Sequence, residues 1–253
     1  MRRSIGLVGL AGAILIAGTA PAAAPSSVAA LQAQLTALQK RVGLLEDKAA
    51  IEKLQRAYGY YLDKQLWSEI TPLFSDNGSV EIAQRGVYRG RKSIDIFFKQ
   101  VMGHGEDGLK KDHLFNHMIL QGIVDVDPDG MHASGRWRAL QWVMNYGKNG
   151  IYAEGPYENT YVKEHGVWKI QSMHYFDSYH VTEESGFLKD AVSPSGQTAA
   201  FPPDEQPSVA YDNYPGVYVP PFHYPNPGNG RPWTKADTEK HSTHGVSAPP
   251  HAH

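Results

Sequence analysis

Apolar residues at Val28, Leu31, Leu35, Leu38, Val42, Leu45 and Ala49 recur in alternating steps of three and four, the spacing of a heptad seam. The run lasts about three heptads, the shortest that supports a coiled coil, and predicts a helical oligomerisation arm over residues 28–49. An amphipathic helix packed on its own domain answers the same pattern, and Gly43 weakens the seam enough to mark a hinge. Ile51, Leu54, Tyr58, Leu62 and Leu66 then keep helical spacing over residues 49–67. Thr71-Pro72 opens a short helix with Thr71 as N-cap, and Asp76-Asn77-Gly78 reads as a turn. Residues 79–83 and 86–88 form a short hairpin, and Ser93 caps a helix carrying Ile94, Phe97, Phe98 and Val101. From His117 the period changes to two, giving strands over residues 118–126, 133–144, 152–162 and 167–175. Helices followed by a run of antiparallel strands predict an α+β domain over residues 49–180, its helices on one face of a curved sheet.

The two ends are different. Residues 1–24 have a basic start at Arg2 and Arg3, an apolar run from Ile5 to Ala17 and an Ala20-x-Ala22 cleavage pattern. They read as a secretory signal peptide of about 22 residues, too short for a membrane span, and imply a periplasmic or secreted protein with no stable membrane insertion after cleavage. The flanks of Arg2-Arg3 favour the general secretory route over the twin-arginine one. At the other end, residues 181–253 carry 12 of the 17 prolines, which forbids helix and interior strand. Phe201, Tyr211, Tyr214, Tyr218, Phe222, Tyr224 and Trp233 make this stretch too aromatic for a solvated linker. We expect an extended arm over residues 187–233 packed on its own or a neighbouring subunit, with a disordered end containing His241, His244, His251 and His253.

Composition narrows the chemistry. The 253 residues hold no cysteine and a formal net charge of -2, so thiolate catalysis, disulfides and iron–sulfur clusters are out and nucleic acid finds no basic footprint. No metal-ligand motif, phosphate-binding glycine loop or nucleophile elbow occurs. His113 and His117 are four apart without an intervening glutamate, and His104, His132 and His165 sit beside turns. What remains is an acid–base site without cofactor or metal, drawn from Asp63, the histidines (His174 among them) and the tyrosines. On the strand from Gly135 to Trp142, Arg136, Arg138, Leu140 and Trp142 share one face and Trp137, Ala139 and Gln141 the other. Glu154 and Glu158 likewise oppose Tyr157 and Tyr161, and the pattern leaves open which face turns inward.

Four segments carry a resemblance: AIEKLQRAYGYYLDKQLWSEITPLFSDNGSVEI, GVYRGRKSIDIFF, NHMILQGIVDVDPDGMHASGRWRAL and YENTYVKEHGVWKI. In order and spacing the chain resembles the SnoaL-like branch of the NTF2-like superfamily over about residues 49–175. The resemblance implies an NTF2-like (cystatin-like) cone with an apolar pocket at its open end. In scytalone dehydratase-like members it implies an Asp near the end of the first helix and a His opening the next strand. These positions fall on Asp63 and His117, with His113 as runner-up. A tyrosine five before the Asp is Tyr58, with Tyr60 and Tyr61 as alternatives. Five residues is about 140° of helix, so Tyr58 and Asp63 share a cavity only if it wraps the helix end.

The expected chemistry follows from the groups. An imidazole accepts a proton near neutrality, a carboxylate on its other nitrogen fixes the tautomer, and a phenol donates to a developing oxygen. Tyr61, Trp67, His113, Asn116, Arg136, Arg138, Trp142 and Tyr157 are the expected substrate-contacting residues. The resulting expectation is a cofactor-independent, metal-free lyase for a small hydrophobic aromatic or polycyclic hydroxylated substrate. It would eliminate water, or release formaldehyde by carbon–carbon cleavage as in the sphingomonad-type diarylpropane lyases it resembles. An isomerase or cyclase would use the same pocket. A non-catalytic ligand-binding or assembly module would instead make the arm and tail the working parts, and either reading expects a homo-oligomer, dimer or trimer.

Overall fold

The computed structural model describes residues 27–189 and 192–243. The signal peptide, His244, His251 and His253 lie outside the described residues. The chain divides into two units at Lys40/Arg41. In the first, the described residues are helical from Val28, and Val28, Leu31, Leu35 and Leu38 are exposed. The second unit holds the sheet, the remaining helices and the C-terminal arm. Among the described residues no helix is long and apolar enough to cross a membrane.

Helix α1 spans Val28–Asp63 without interruption. The helix expected over residues 49–67 is therefore part of one element that ends at Asp63. Its buried positions, Ile51, Gln55, Tyr58, Gly59 and Leu62, trace one stripe. A second short helix α2 (Trp67–Ile70) and a 3-10 turn at Thr71–Leu73 lead into strand β1 (Phe74–Ile82). Strand β2 (Val87–Arg89) turns back on it, and helix α3 (Gly90–Ile96) runs on into a wider π turn at Phe97–Met102. Arg89, not Ser93, precedes the first turn of α3, so Ser93 sits inside the helix.

Strands β3 (His113–Val126), β4 (His132–Asn145), β5 (Asn149–Glu164) and β6 (Val167–Tyr175) follow, then a short β7 (Tyr179–Thr182). The seven strands make one sheet in the order β2-β1-β6-β5-β4-β3, with β7 pairing β5. The expected antiparallel run β3 to β6 is present, and β1 adds to it by running parallel to β6. The Asp-Asn-Gly segment is also inside β1 instead of forming a turn. The β1–β6 register slips between Phe74 and Ser79, and the irregular backbone is tied down by Ser75 Oγ donating to Gln171 Oε1 and Gln171 donating to the carbonyl of Asn77.

The sheet is strongly curved. β3 and β6 are three strand spacings apart, about 14 Å in a flat sheet, yet the rings of His117 on β3 and Tyr175 on β6 are 6.4 Å apart. The concave side carries the core, with Trp67, Phe74, Phe97, Phe98, Trp137 and Ile170 all but inaccessible. The C-terminal arm packs on the sheet through Tyr88 Oη donating to the carbonyl of Phe201, the Gln84 amide donating to that of Val209, and an Arg89–Glu205 ion pair. Its end departs from expectation. Residues free of proline form helix α4 (Lys235–His241), with Thr234 and Asp237 in a reciprocal capping box, and His241 closes that helix.

Candidate active site

His117 and Tyr58 are brought together by a glycine. A side chain at Gly59 would put its Cβ 2.8 Å from Ile119 Cγ1 and 3.4 Å from the carbonyl of His117, so only glycine lets α1 lie this close to β3. Tyr58, one residue earlier on α1, then faces the inner side of the sheet. Its hydroxyl is 3.2 Å from that of Tyr157, which is 3.0 Å from His117 Nε2. This chain of two phenols and an imidazole is fully buried. Burial pushes both phenols well above their ordinary range, so both keep their protons. Burial also drives the imidazole down to about 3, with the nearby Gln141 side chain pulling slightly back. His117 is therefore neutral at physiological pH, and its Nδ1 has no hydrogen-bond partner.

These groups line a cavity of about 150 Å³ whose other walls are largely apolar, among them Leu62, Ile82, Phe97, Phe98, Phe115 and Val143. A cavity of about that size holds one aromatic ring. Gln141 also lines it and donates to Tyr175 Oη at 2.8 Å.

Sequence reasoning missed a second polar cluster in the same cavity: Arg85, Asp177 and His180. Asp177 sits in the link between β6 and β7. The flanking amides bond β5, Phe176 N–H to the carbonyl of Pro156 and Ser178 N–H to that of Glu154. Gly155 makes this docking feasible, since a Cβ there would fall 1.8 Å from the carbonyl oxygen of Phe176. The Asp177 amide donates to Tyr211 Oη in the C-terminal arm at 2.8 Å, and Asn213 of the arm donates to Oδ2 at 3.3 Å. His180 Nδ1 lies 3.8 Å from Oδ2, while Oδ1 is buried without a partner. Burial pushes the carboxyl up to about 7; the Arg85 charge and the Asn213 bond oppose this, and Glu154 adds to it.

Of the residues expected at the site, His117, Tyr58 and Tyr157 share the cavity. Asp63 does not orient the imidazole. Its Oδ1 accepts the main-chain N–H of His117 on the edge strand β3 at 2.5 Å, the roughly 140° between Tyr58 and Asp63 having turned the carboxylate away from the cavity. There it shares a hollow of about 290 Å³ with Arg56, Tyr60, Asn116 and His117. Its carboxyl is raised by partial burial, opposed by the His117 amide and by Lys64.

Arg136, Arg138 and Trp142 face away from the cavity. Arg136 pairs with Glu158, lies 3.9 Å from the ring centroid of Phe222 in the arm and donates to the carbonyl of Pro221. Arg138 pairs with Glu154 and bonds Gln121. The inward face of β4 is thus Trp137, Ala139 and Gln141. Trp67 is core, stacked on Phe98 at 6.3 Å, Tyr61 packs against the same core, and His113 is exposed at the start of β3.

His174 is a second buried, neutral imidazole, lowered to about 3 by burial, stacked on Phe176 and 3.6 Å from Glu81. Among the described residues, one group could share a metal ion: Asp127, Asp129 and His132, all exposed, on the β3–β4 turn. His132 Nδ1 already pairs with Asp129 at 2.8 Å there.

The SnoaL-like domain family matches residues 44–174, just over half of the chain, and the chain belongs to that family. No curated protein matches it. Similar solved structures include a scytalone dehydratase-like protein of Novosphingobium aromaticivorans, 18% identical with a TM-score of 0.49, covering 63% of this chain and 97% of the other. A hexachlorocyclohexane dehydrochlorinase of Novosphingobium barchaimii is 19% identical with a TM-score of 0.48, covering 56% and 93%. A Mycobacterium tuberculosis protein of unknown function is 18% identical with a TM-score of 0.45, covering 53% and 78%. Family membership gives the fold; the reaction has to be argued from the cavity.

Proposed function

We propose that the cavity is the active site of a lyase acting on a one-ring hydroxylated hydrophobic substrate through its own side chains, without cofactor or metal. The observation that carries this is a buried, neutral imidazole with an unpartnered Nδ1 in the lining of an apolar, ring-sized cavity. In the tautomer that donates Nε2–H to Tyr157, Nδ1 offers a lone pair for a substrate proton. Tyr157 and Tyr58 hold the ring in that orientation. Loss of water from carbon atoms next to one another is the reaction this arrangement fits best. The cavity volume favours a single ring over the two rings of a lignin-derived diarylpropane, which could place only one of them inside. The leader-like N-terminus supports export, and so a reaction outside the cytoplasm.

The test is turnover of a panel of hydroxylated single-ring and diaryl substrates by the full mature chain with chelator present, scored by mass spectrometry for loss of water or formaldehyde. Turnover that disappears in folded His117→Ala supports the reading. Turnover that chelator abolishes, or that survives His117→Ala, overturns it. Mass-neutral conversion would replace a lyase by an isomerase.

A further inference from the structure

Proton transfer to His117 alone would leave a cation in an apolar cavity, where an uncompensated charge is costly. The cost falls if a second group of the same cavity loses a proton as His117 gains one. Asp177 has the required properties. Its side chain is 4% exposed, lines the cavity with His117, and keeps Oδ1 without a hydrogen-bond partner. The main chain on either side is bonded to β5 and the amide to Tyr211, so the carboxyl is held in place by elements that do not belong to its own link. The charged and titratable groups that bear on it are Arg85 from the β1–β2 turn, Glu154 from β5, His180 from β7, Tyr175 from β6, and Tyr211 of the arm, beside the neutral amide of Asn213.

We infer that Asp177 is the proton donor of this site, the acid that completes the elimination begun by His117. The inference rests on the lyase reading given above. In the step, His117 Nδ1 forms a bond to a substrate hydrogen, the released C–H electron pair becomes the new carbon–carbon double bond, and the C–O bond breaks. The departing oxygen takes its electron pair and the proton of the Asp177 carboxyl, leaving as water. The enzyme is left with protonated His117 and ionised Asp177, so the cavity's net charge is unchanged, and the half-buried Arg85 guanidinium stabilises the new carboxylate. The proton on His117, whose imidazole is the weaker base of the two, then passes to the Asp177 carboxylate, directly or through water, and resets the pair. A carboxyl pushed up to about 7 is largely protonated at mildly acidic pH and can still release its proton, the property a general acid needs near neutrality. The substrate this selects is a ring bearing the leaving hydroxyl at the Arg85–Asp177 end and the abstracted hydrogen at the His117 end.

Two measurements test this. Infrared difference spectra of wild type against Asp177→Asn, taken from about pH 5 to about pH 9, read the carboxylic acid carbonyl band directly and need no substrate. A band that is present in wild type at the acid end, absent in the variant and lost on titration near neutrality is the expected result. A side chain that is ionised throughout overturns the proposal. In the second, Asp177→Asn is expected to lower kcat/KM at least about 100-fold on a substrate that wild type turns over, and to remove the alkaline limb of the pH–rate profile. Asn keeps the size of the side chain and an oxygen for the Asn213 bond. If His117→Ala is inactive but Asp177→Asn keeps the wild-type rate and profile, the donor assignment fails and the lyase reading stands. If His117→Ala retains wild-type turnover, the lyase reading itself fails.

Discussion

The two faces of β4 and β5 treat their polar residues in opposite ways. On the outer face, Arg136 meets Glu158, Arg138 meets Glu154, and His223 of the arm sits 2.8 Å from Glu158 and 3.3 Å from Asp125. Every charge there has a counter-charge, and the arm covers the inner part of the array with Phe222 and Pro221. On the inner face the polar groups are fewer and less paired: His117 Nδ1 and Asp177 Oδ1 have no partner. An unsatisfied buried polar atom costs about 1–3 kcal/mol. Paired charges on this sheet hold the arm; unpartnered buried atoms occur on both faces, Nε2 of His174 and of His223 beside the arm and His117 Nδ1 and Asp177 Oδ1 inside, and only the last two line the cavity of the proposed reaction.

Substitutions should separate the two faces. The largest effect is expected inside: His117→Ala should abolish turnover, a loss of about 100-fold or more for a general base, while the thermal midpoint at neutral pH stays near wild type. A midpoint that falls with activity would make His117 a structural residue. The pH dependence of stability comes next, with opposite signs for the buried carboxyl and the two buried imidazoles. Folded Asp177 keeps its proton up to about 7, whereas an unfolded Asp loses it near 3.9, so this residue's contribution is full at acid pH and is lost as pH rises through that window. Asp177→Asn should therefore be more stable than wild type at pH 8, on the order of 4 kcal/mol, and equal to it below about pH 4. Folded His117 and His174 stay neutral down to about 3, while unfolded histidine takes a proton near 6.5. Wild type should thus lose stability as pH falls from about 6.5, less steeply in His174→Phe. Denaturant titrations across pH measure both slopes.

On the outer face, Arg136→Met breaks an ion pair whose members are about one-seventh exposed. It should cost roughly 3 kcal/mol and leave turnover per folded molecule intact. A drop in kcat at unchanged stability would move Arg136 into the active site. The smallest effect is expected for Asp63→Asn, which weakens a charge-assisted bond to the His117 amide and should cost about 1 kcal/mol. Turnover should fall modestly with no change in the pH–rate profile. A shifted profile would mean that Asp63 acts on the imidazole after all.

How much of this was legible in the sequence depends on how local the information is. Strands β3 to β6 follow from alternation and turn residues, and the Ile51–Leu62 stripe from helical spacing. The parallel β1–β6 pairing is not written locally, and it pulls Asp76-Asn77-Gly78 into a strand against its own turn preference. Alternation placed Gln141 opposite Arg136 and Arg138, but a period of two cannot say which face is concave, and the Arg face turned out to serve the arm. Resemblance picked out His117 and Asp63 together, and only the backbone shows that the carboxylate reaches an amide and not a ring. Asp177 carried no signal: it lies past the end of a strand, in an irregular link where periodicity has nothing to report. A search for buried carboxyls facing an apolar cavity finds it; a search for motifs does not.

The position of Asp177 along the chain also bears on how the protein is made. The segment matched to the family ends at residue 174, and Asp177, His180 and Ser195, which line the cavity, come after it. Tyr211 and Asn213, which hold Asp177, come later still. The base and its phenols are therefore made well before the arm, a gap of seconds at roughly 5–20 residues per second. A chain lacking the arm would keep His117, Tyr58 and Tyr157 in its sequence but lose Tyr211 and Asn213, the groups that hold Asp177.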